Sequence, residues 1–502
     1  MKPLVSMRRA LEDPNLFGKV LSGESWASWR ILLIAMMGEP LTDAERETFT
    51  ALTGREKEPL RRVEEFWGCI GRRGGKTRAI AVLAAYIASL VDFSDVLAPG
   101  EKATLPILSH TVDQAQKCFS YLDGIFSTVP ALKKLVVGQT ADTITLSTRG
   151  VIECRPASFR SIRGGTACAA ICDEVAVWRS DTTSNPDSEV LSALRPCLAT
   201  TGGLLACISS PYARKGELWN TVKRDFGQSG DPLVLVARAA SRTMNSTLTQ
   251  KFVDRQYERD PASARAEYGA EFRSDIESFL TIEAIEACIE AGRVERPYLS
   301  NLRYVAFIDP SGGSGQDSMT IAIAHAERRG QLLVGVLDAV RERKPPFSPD
   351  SVTEEFLDFL KEYHVHMVTG DRWGSEFVQE RYRKAGVKYV VSDKVKSDIY
   401  VELLPAINSR RVDLLDLPRL KTQLCSLERR TARGGKDSID HPTGNGQNCH
   451  DDVANACAGA LTLALVDKKR VVITEQHLAA AKKQPPYRGL GSYRSAPMKA
   501  FF

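Results

Sequence analysis

Several things are missing from this chain. None of its eleven cysteines stands in a Cys-x-x-Cys pair, which removes the common zinc and dithiol motifs; Cys168, Cys172, Cys207 and Cys457 lie in apolar runs and read as small reduced core residues. No apolar run is long enough to span a bilayer, because the longest, 79–91, is interrupted by Tyr86 and Ser89, so no membrane partner is expected. The opening stretch MKPLVSMRRALEDPNLF holds no apolar signal segment, and a cytosolic protein is the expectation. An excess of charge of one sign is also missing: a net +5 on 502 residues is too mild to establish a nucleic-acid partner, so any such partner must be argued from local patches. The length suffices for two or three domains with separate cores.

What is present begins at 69–77, CIGRRGGKT. A short apolar run, 66–70, precedes a glycine turn, and an alanine-rich segment without Gly or Pro, 77–91, follows it. This is the strand, loop and helix of a phosphate-binding loop. The backbone from Gly71 through Arg72, Arg73, Gly74 and Gly75 is expected to curl around a polyphosphate at the positive end of the helix, with Lys76 reaching the outer phosphates and Thr77 ligating Mg²⁺. The strict pattern asks for glycine where Ile70 stands. Downstream, 169–174 is an apolar run ending in Asp173 and Glu174, the acidic strand that such an ATPase requires. Asp173 is expected to hold Mg²⁺ through water, and Glu174 to orient and deprotonate the attacking water.

Around these motifs, strands and helices alternate, which predicts a parallel sheet with helices on both faces. Residues 1–60 read as a mostly helical lead-in, in which Trp26 or Trp29 is a candidate to stack on adenine and Arg30 to reach its phosphates; a pair of core tryptophans is the competing reading. Residues 61–275 form the expected ATPase domain. Arg160 and Arg163 are candidates to stabilise γ-phosphate charge or to grip DNA phosphate. Ser209 and Ser210, at the end of the apolar run 204–208, are placed to sense the γ-phosphate. The charged, amphipathic stretch 251–272 reads as two outer helices.

A polar stretch, 276–302, reads as a connector, and a second α/β domain is expected over 303–467. An apolar strand ends in Asp309, two antiparallel strands follow, and after a helix another strand ends in Asp371; His450-Asp451-Asp452 then opens a further helix. Three carboxylates delivered in this order can hold two Mg²⁺ or Mn²⁺ ions roughly 3.5–4 Å apart for phosphodiester cleavage, the ribonuclease H-like plan. Neighbouring helical residues point about 100° apart, so Asp451 is taken as the ligand and Asp452 as lying behind it. Asp317 is assigned to a turn, and His441 and His450 to the rim, because a hard cation prefers oxygen. Between 409 and 436, Arg410, Arg411, Arg419, Lys421, Arg429, Arg430, Arg433 and Lys436 outnumber the acids, a DNA-backbone contact or a solvated face. Residues 468–502 read as a flexible basic tail.

Taken together, GRRGGKT, ICDEVAVW, ISSPY, RDPASARAEYGAEF, FIDPSGG, VTGDRW and HDDVANA resemble the large subunit of a tailed-bacteriophage terminase over roughly residues 20–465. The resemblance implies an N-terminal ATPase that uses ATP and Mg²⁺ to move double-stranded DNA into a procapsid. It also implies a C-terminal ribonuclease H-like nuclease, served by Mg²⁺ or Mn²⁺, that cuts concatemeric genomes. It assigns Lys76, Thr77, Asp173 and Glu174 to the first site and Asp309, Asp371 and Asp451 to the second. It further implies a portal protein and a small terminase subunit as partners, a ring of copies on the portal, and a place in the host cytoplasm, outside the mature virion. The rival readings are a DNA helicase or repair ATPase with an attached nuclease, and a portal-docking scaffold whose nuclease is dead.

Overall fold

A computed structural model describes residues 2–157, 165–178, 186–315, 317–371, 376–431, 437–442 and 450–466. Arg160, Arg163, Arg433, Lys436 and the tail 468–502 lie outside the described residues.

Two large sheets organise the chain. The first has eight strands in the order Val234–Ala239, Glu65–Ile70, Leu204–Ser209, Ala169–Asp173, Ala103–Ser109, Gly150–Pro156, Thr143–Leu146 and Val136–Gln139. The first six are mutually parallel, and the last two extend the sheet as an antiparallel ribbon. Glu65–Ile70 shows why this sheet is covered on both sides: successive side chains point to opposite faces, so Phe66 and Ile70 enter one core and Trp67 and Cys69 the other. The helix Lys76–Leu90 and the lead-in helices Met7–Glu12, Ala27–Met36 and Asp43–Thr53 supply the first core. Pro186–Ala199 and Gly216–Asp225 supply the second. The sequence-based expectation of a parallel α/β sheet therefore holds. Residues of the lead-in, Met7, Phe17 and Trp29 among them, are fully buried in its core.

The second sheet has seven strands in the order Ile289–Glu290, Val412–Leu415, Leu332–Arg343, Met319–Arg329, Val305–Asp309, Met367–Gly370 and Lys388–Val391. Val305–Asp309, Met319–Arg329 and Leu332–Arg343 form an antiparallel meander, and Met367–Gly370 and Lys388–Val391 add in parallel on the other side. This is the ribonuclease H-like order. The helix Asp452–Ala464 lies on one face. At Gly459 a Cβ would come within 2.3 Å of the Phe307 ring, so glycine lets this helix sit directly on the central strand. A small antiparallel sheet, Ile276–Ser278, Glu428–Thr431 and Asp437–Asp440, stands beside it.

The stretch 276–302, expected as a connector, is built into this second half. Ile276–Ser278 joins the small sheet, Ile289–Glu290 forms the edge of the large one, and Ile285 is fully buried in its core. Its polar composition hid the few apolar residues, Ile276, Phe279, Leu280, Ile285 and Cys288, that commit it.

Candidate active sites

The first candidate site lies at the carboxyl ends of the parallel strands, where ligands of open α/β sheets bind. The loop after Glu65–Ile70 turns through left-handed backbone at Arg73 (φ 64) and Gly75 (φ 81), and the helix starts at Lys76. Gly71 is required by crowding: a Cβ there would stand 2.4 Å from Ser241 Oγ and 2.7 Å from Ser241 N. Ile70 replaces the usual glycine without conflict because it is still the last residue of the strand, buried in the core.

Lys76 is buried, and its Nζ donates to Ile70 O at 3.0 Å and Ser210 Oγ at 2.8 Å, 3.7 Å from Glu174 Oε1. Glu174 follows the acidic strand in left-handed backbone (φ 54, ψ 44), a conformation that costs a non-glycine residue energy and clusters at functional sites. Its Oε2 accepts from Ser209 Oγ at 3.1 Å and from Ser210 N at 3.4 Å. Lys76, Glu174, Ser209 and Ser210 are thus gathered at one point. The strand carrying the serines lies between the loop strand and the acidic strand.

Asp173 is 4% exposed, and its Oδ1 has no hydrogen-bond partner among the described residues. Burial and then the charge of Glu174 push its carboxyl up, against the pull of Lys76. A buried oxygen of this kind fits a hard divalent cation, whose ligands are oxygens. Thr77, half-buried in the first helical turn, stands on the same loop.

The tryptophans divide. Trp29 is fully buried, packs edge-on against Phe66, and donates Nε1 to Gly74 O at 2.7 Å. It is a strut under the loop and not a free stacking surface. Trp26 is half-buried, lies against Gly75, and carries the Arg78 guanidinium over its ring at 4.9 Å. Arg30 donates to Leu21 O and Gly23 O, both at 2.8 Å, and so ties the lead-in to itself. Other supports left no mark in the sequence motifs. Ser241 Oγ donates to Arg72 O at 2.6 Å, Asn245 Nδ2 to Arg73 O at 3.0 Å, and Arg72 pairs with Glu267 at 2.9 Å.

The second candidate site gathers the predicted acids. Asp309, at the end of the central strand, and Asp371, just after Met367–Gly370, both accept from Asn455 Nδ2, through their Oδ2 atoms at 3.0 and 3.3 Å. Burial, followed by the nearby charges of Asp452, Asp451 and Asp371, pushes the Asp309 carboxyl well up, against the Asn455 bond. Asp309 and Asp371 are therefore joined through Asn455, with Asp451 and Asp452 close enough for their charges to bear on Asp309.

Asp451 and Asp452 are both buried, but their partners differ. Asp451 Oδ1 lies 3.0 Å from His441 Nδ1 and accepts from Lys396 Nζ at 3.2 Å; its Oδ2 accepts from Tyr400 OH at 2.9 Å and lies 3.0 Å from Lys396 Nζ. Burial would raise this carboxyl, yet His441 and Lys396 together hold it below the usual range. His441 in turn is pushed up to about 10, by its bond to Asp440 first and to Asp451 second. Asp452 Oδ2 accepts from Ser318 N at 2.8 Å; burial is the main reason its carboxyl rises to about 6, against the pull of that amide and of His450. Both neighbours, expected at the site with Asp451 foremost, are buried there and differ in what holds them: Asp451 carries Lys396, His441 and Tyr400, and Asp452 carries the Ser318 amide.

Asp317 and His450, assigned to a turn and to the rim, pair at 2.9 Å and stand beside Asp452 as a candidate ligand group. Asn455, Lys396 and Tyr400 were not anticipated. A carboxamide one turn past Asp451 on the same helix was the one available signal.

The basic stretch is partly internal. Arg419 pairs with Glu342 at 2.7 Å, Lys421 with Glu286, and Arg430 Nη2 donates to His441 O at 3.1 Å. These three side chains are paired within the chain, while Arg410 and Arg429 of the same stretch are exposed. No helix among the described residues is long and apolar enough to cross a membrane.

The chain is similar to bacteriophage large terminases. It matches the large terminase of bacteriophage HK97 at 16% identity and a TM-score of 0.38, over 85% of this chain and 98% of that one. For the large terminase of a thermophilic bacteriophage the values are 13% and 0.36, over 88% and 100%. For the large terminase ATPase domain of Thermus phage P74-26 they are 20% and 0.34, over 42% and 89%. No protein-family model and no curated protein matches the sequence.

Proposed function

We propose that this chain is an ATP-driven DNA-packaging motor with a cation-dependent endonuclease, the two activities of a terminase large subunit. The observation that supports the reading is that one chain brings Lys76 beside Glu174 and Ser210 in the first sheet and joins Asp309 to Asp371 through Asn455 in the second, with Asp452 close enough to bear on Asp309.

At the first site, Lys76 rests on Ile70 O and Ser210 Oγ. A triphosphate seated on the glycine turn draws the ammonium towards its outer oxygens and releases Ser210. Glu174, steadied by Ser209 and the Ser210 amide, is the general base that orients and deprotonates water. Ser210 is followed by Pro211 and Tyr212, and Tyr212 reaches the second half. Release of Ser210 on nucleotide binding, and its return to Lys76 once the γ-phosphate is gone, is thus the event passed to the remainder of the chain.

At the second site, Asp309, Asp371 and Asp452 would hold the cation, and Asp451, fixed by Lys396, Tyr400 and His441, anchors the start of the helix that carries Asp452. Mg²⁺ or Mn²⁺, when bound, supplies a Lewis acid and a water of lowered pKa at the nuclease site, as Mg²⁺ on Asp173 and Thr77 supplies charge neutralisation at the ATP site. Double-stranded DNA is the proposed substrate. A portal protein, a small terminase subunit and further copies in a ring are the proposed partners, in the cytoplasm of a bacterial host.

A separation of activities tests the reading. Lys76→Ala should lower ATP hydrolysis by about 10²-fold or more while Mn²⁺-dependent nicking of plasmid DNA persists. Asp371→Asn should do the reverse. ATP hydrolysis surviving in the first variant, or nicking in the second, removes the corresponding site. DNA translocation without strand displacement separates a packaging motor from a helicase.

A further inference from the structure

Asn455 lies in the helix Asp452–Ala464, one turn beyond Asp451, and is 1% exposed. Its Nδ2 is shared between Asp309 Oδ2 at 3.0 Å and Asp371 Oδ2 at 3.3 Å. Turning the carboxamide over would set its oxygen against two carboxylates, so the orientation follows from electrostatics. That orientation leaves Oδ1 buried and, among the described residues, without a donor. Buried acceptors seldom go unpaired, and one that does so inside an acid cluster is suited to a water carried by a hard cation.

We propose that Asn455 is a positioning residue for cation loading: its amide draws Asp309 and Asp371 together in the cation-free protein, and its Oδ1 is the spare acceptor for water on the incoming ion. The inference rests on the reading of this cluster as a cation-dependent nuclease centre. Two carboxylates facing one site repel each other, and something must hold them until the ion arrives. A lysine in that place would neutralise them, as Lys396 neutralises Asp451, and would compete with the ion. A neutral amide supplies two hydrogen bonds and leaves the negative charge in place.

The test uses the full chain without DNA, and Mn²⁺ as the probe, with affinity read by electron paramagnetic resonance. Asp309→Asn serves as the reference for loss of the site. Asn455→Ala should bind Mn²⁺ about tenfold or more weakly. Asn455→Asp has nearly the same size but adds a like charge and loses the donor. It should melt below the wild type in EDTA and show a larger rise in melting temperature on addition of Mn²⁺. Wild-type Mn²⁺ affinity in Asn455→Ala, with loss in Asp309→Asn, overturns the role of Asn455 and leaves the nuclease reading intact. Wild-type affinity in Asp309→Asn overturns that reading itself. An Asn455→Asp protein that melts like the wild type in EDTA also overturns the clamp, and this readout remains available if the alanine variant fails to fold.

Discussion

Tyr212 donates its hydroxyl to Glu428 at 3.0 Å, joining the loop that follows Ser209 and Ser210 in the first half to the small sheet of the second. Glu428 is fully buried and also accepts from Lys215 Nζ at 3.0 Å and Arg430 Nη2 at 3.3 Å. Across the small sheet it stands directly opposite Asp440, whose Oδ1 holds Lys396. One carboxylate thus closes the gap between the serines beside Lys76 and the group that fixes Asp451.

This joint is expected to be worth measuring by deletion. Glu428→Ala removes the carboxylate that Tyr212, Lys215 and Arg430 share, although Arg430 keeps its bond to His441 O. Both cations are partly exposed, so water recovers some of the loss, and a cost of about 2 kcal/mol is expected. Calorimetry on the full chain reads it as a lowered transition. A double-mutant cycle with Tyr212→Phe should return a coupling of about 1 kcal/mol. Additive effects would show that the hydroxyl and the carboxylate act independently.

The two neighbouring aspartates should part company when each is changed to asparagine. Asp451→Asn removes the charge that Lys396 and His441 share with Asp440, and should lower the melting temperature in EDTA, by about 2 kcal/mol in stability. Asp452→Asn removes a charge that burial disfavours, while its amide oxygen still accepts from Ser318 N. That variant should melt at or above the wild type in EDTA, yet bind Mn²⁺ more weakly than Asp451→Asn, a trade of stability against function. The opposite ranking in both measurements would return the ligand role to Asp451.

Gly459→Ala should be poorly tolerated. The new methyl would lie 2.3 to 2.5 Å from three atoms of the Phe307 ring, which is itself 1% exposed. Overpacking of this kind costs about 1–3 kcal/mol, and displacement of Phe307 also disturbs Asp309 two residues on. Adding Phe307→Leu should recover part of the stability, measured by chemical denaturation. No recovery would place the strain elsewhere.

Acid should loosen the lead-in before the rest. Arg8, bonded to Glu45 at 2.8 and 2.9 Å, holds the Glu45 carboxyl down at about 2, against an ordinary 4.5. Because the folded value lies below the unfolded one, the stabilisation is complete above pH 4.5 and is lost as pH falls towards 2. Hydrogen exchange of the amides in Met7–Glu12 should therefore speed up across that window relative to the first sheet. Glu45→Gln should flatten the dependence. An unchanged profile in that variant assigns it to Glu58, which Arg46 likewise holds at about 2.

Much of the architecture was determined by the sequence itself, because local chemistry suffices for it. Apolar runs of strand length, a glycine turn before a long alanine-rich helix, and carboxylates at strand ends require no distant partner to be recognised. They singled out Lys76, Asp173, Glu174, Asp309 and Asp371 as candidates, and the order of strands and helices implied both sheets. Only the tertiary structure decided the partners. How Asp451 and Asp452 differ in what holds them depends on Lys396, Tyr400 and His441, separated from them by 10 to 56 positions in the chain. Trp29 became a strut because Gly74 O lies against it, and 276–290 joined the second half because strands remote in sequence pair with it. Hydrogen bonds and burial act through space, and residue type and spacing along the chain do not contain that proximity.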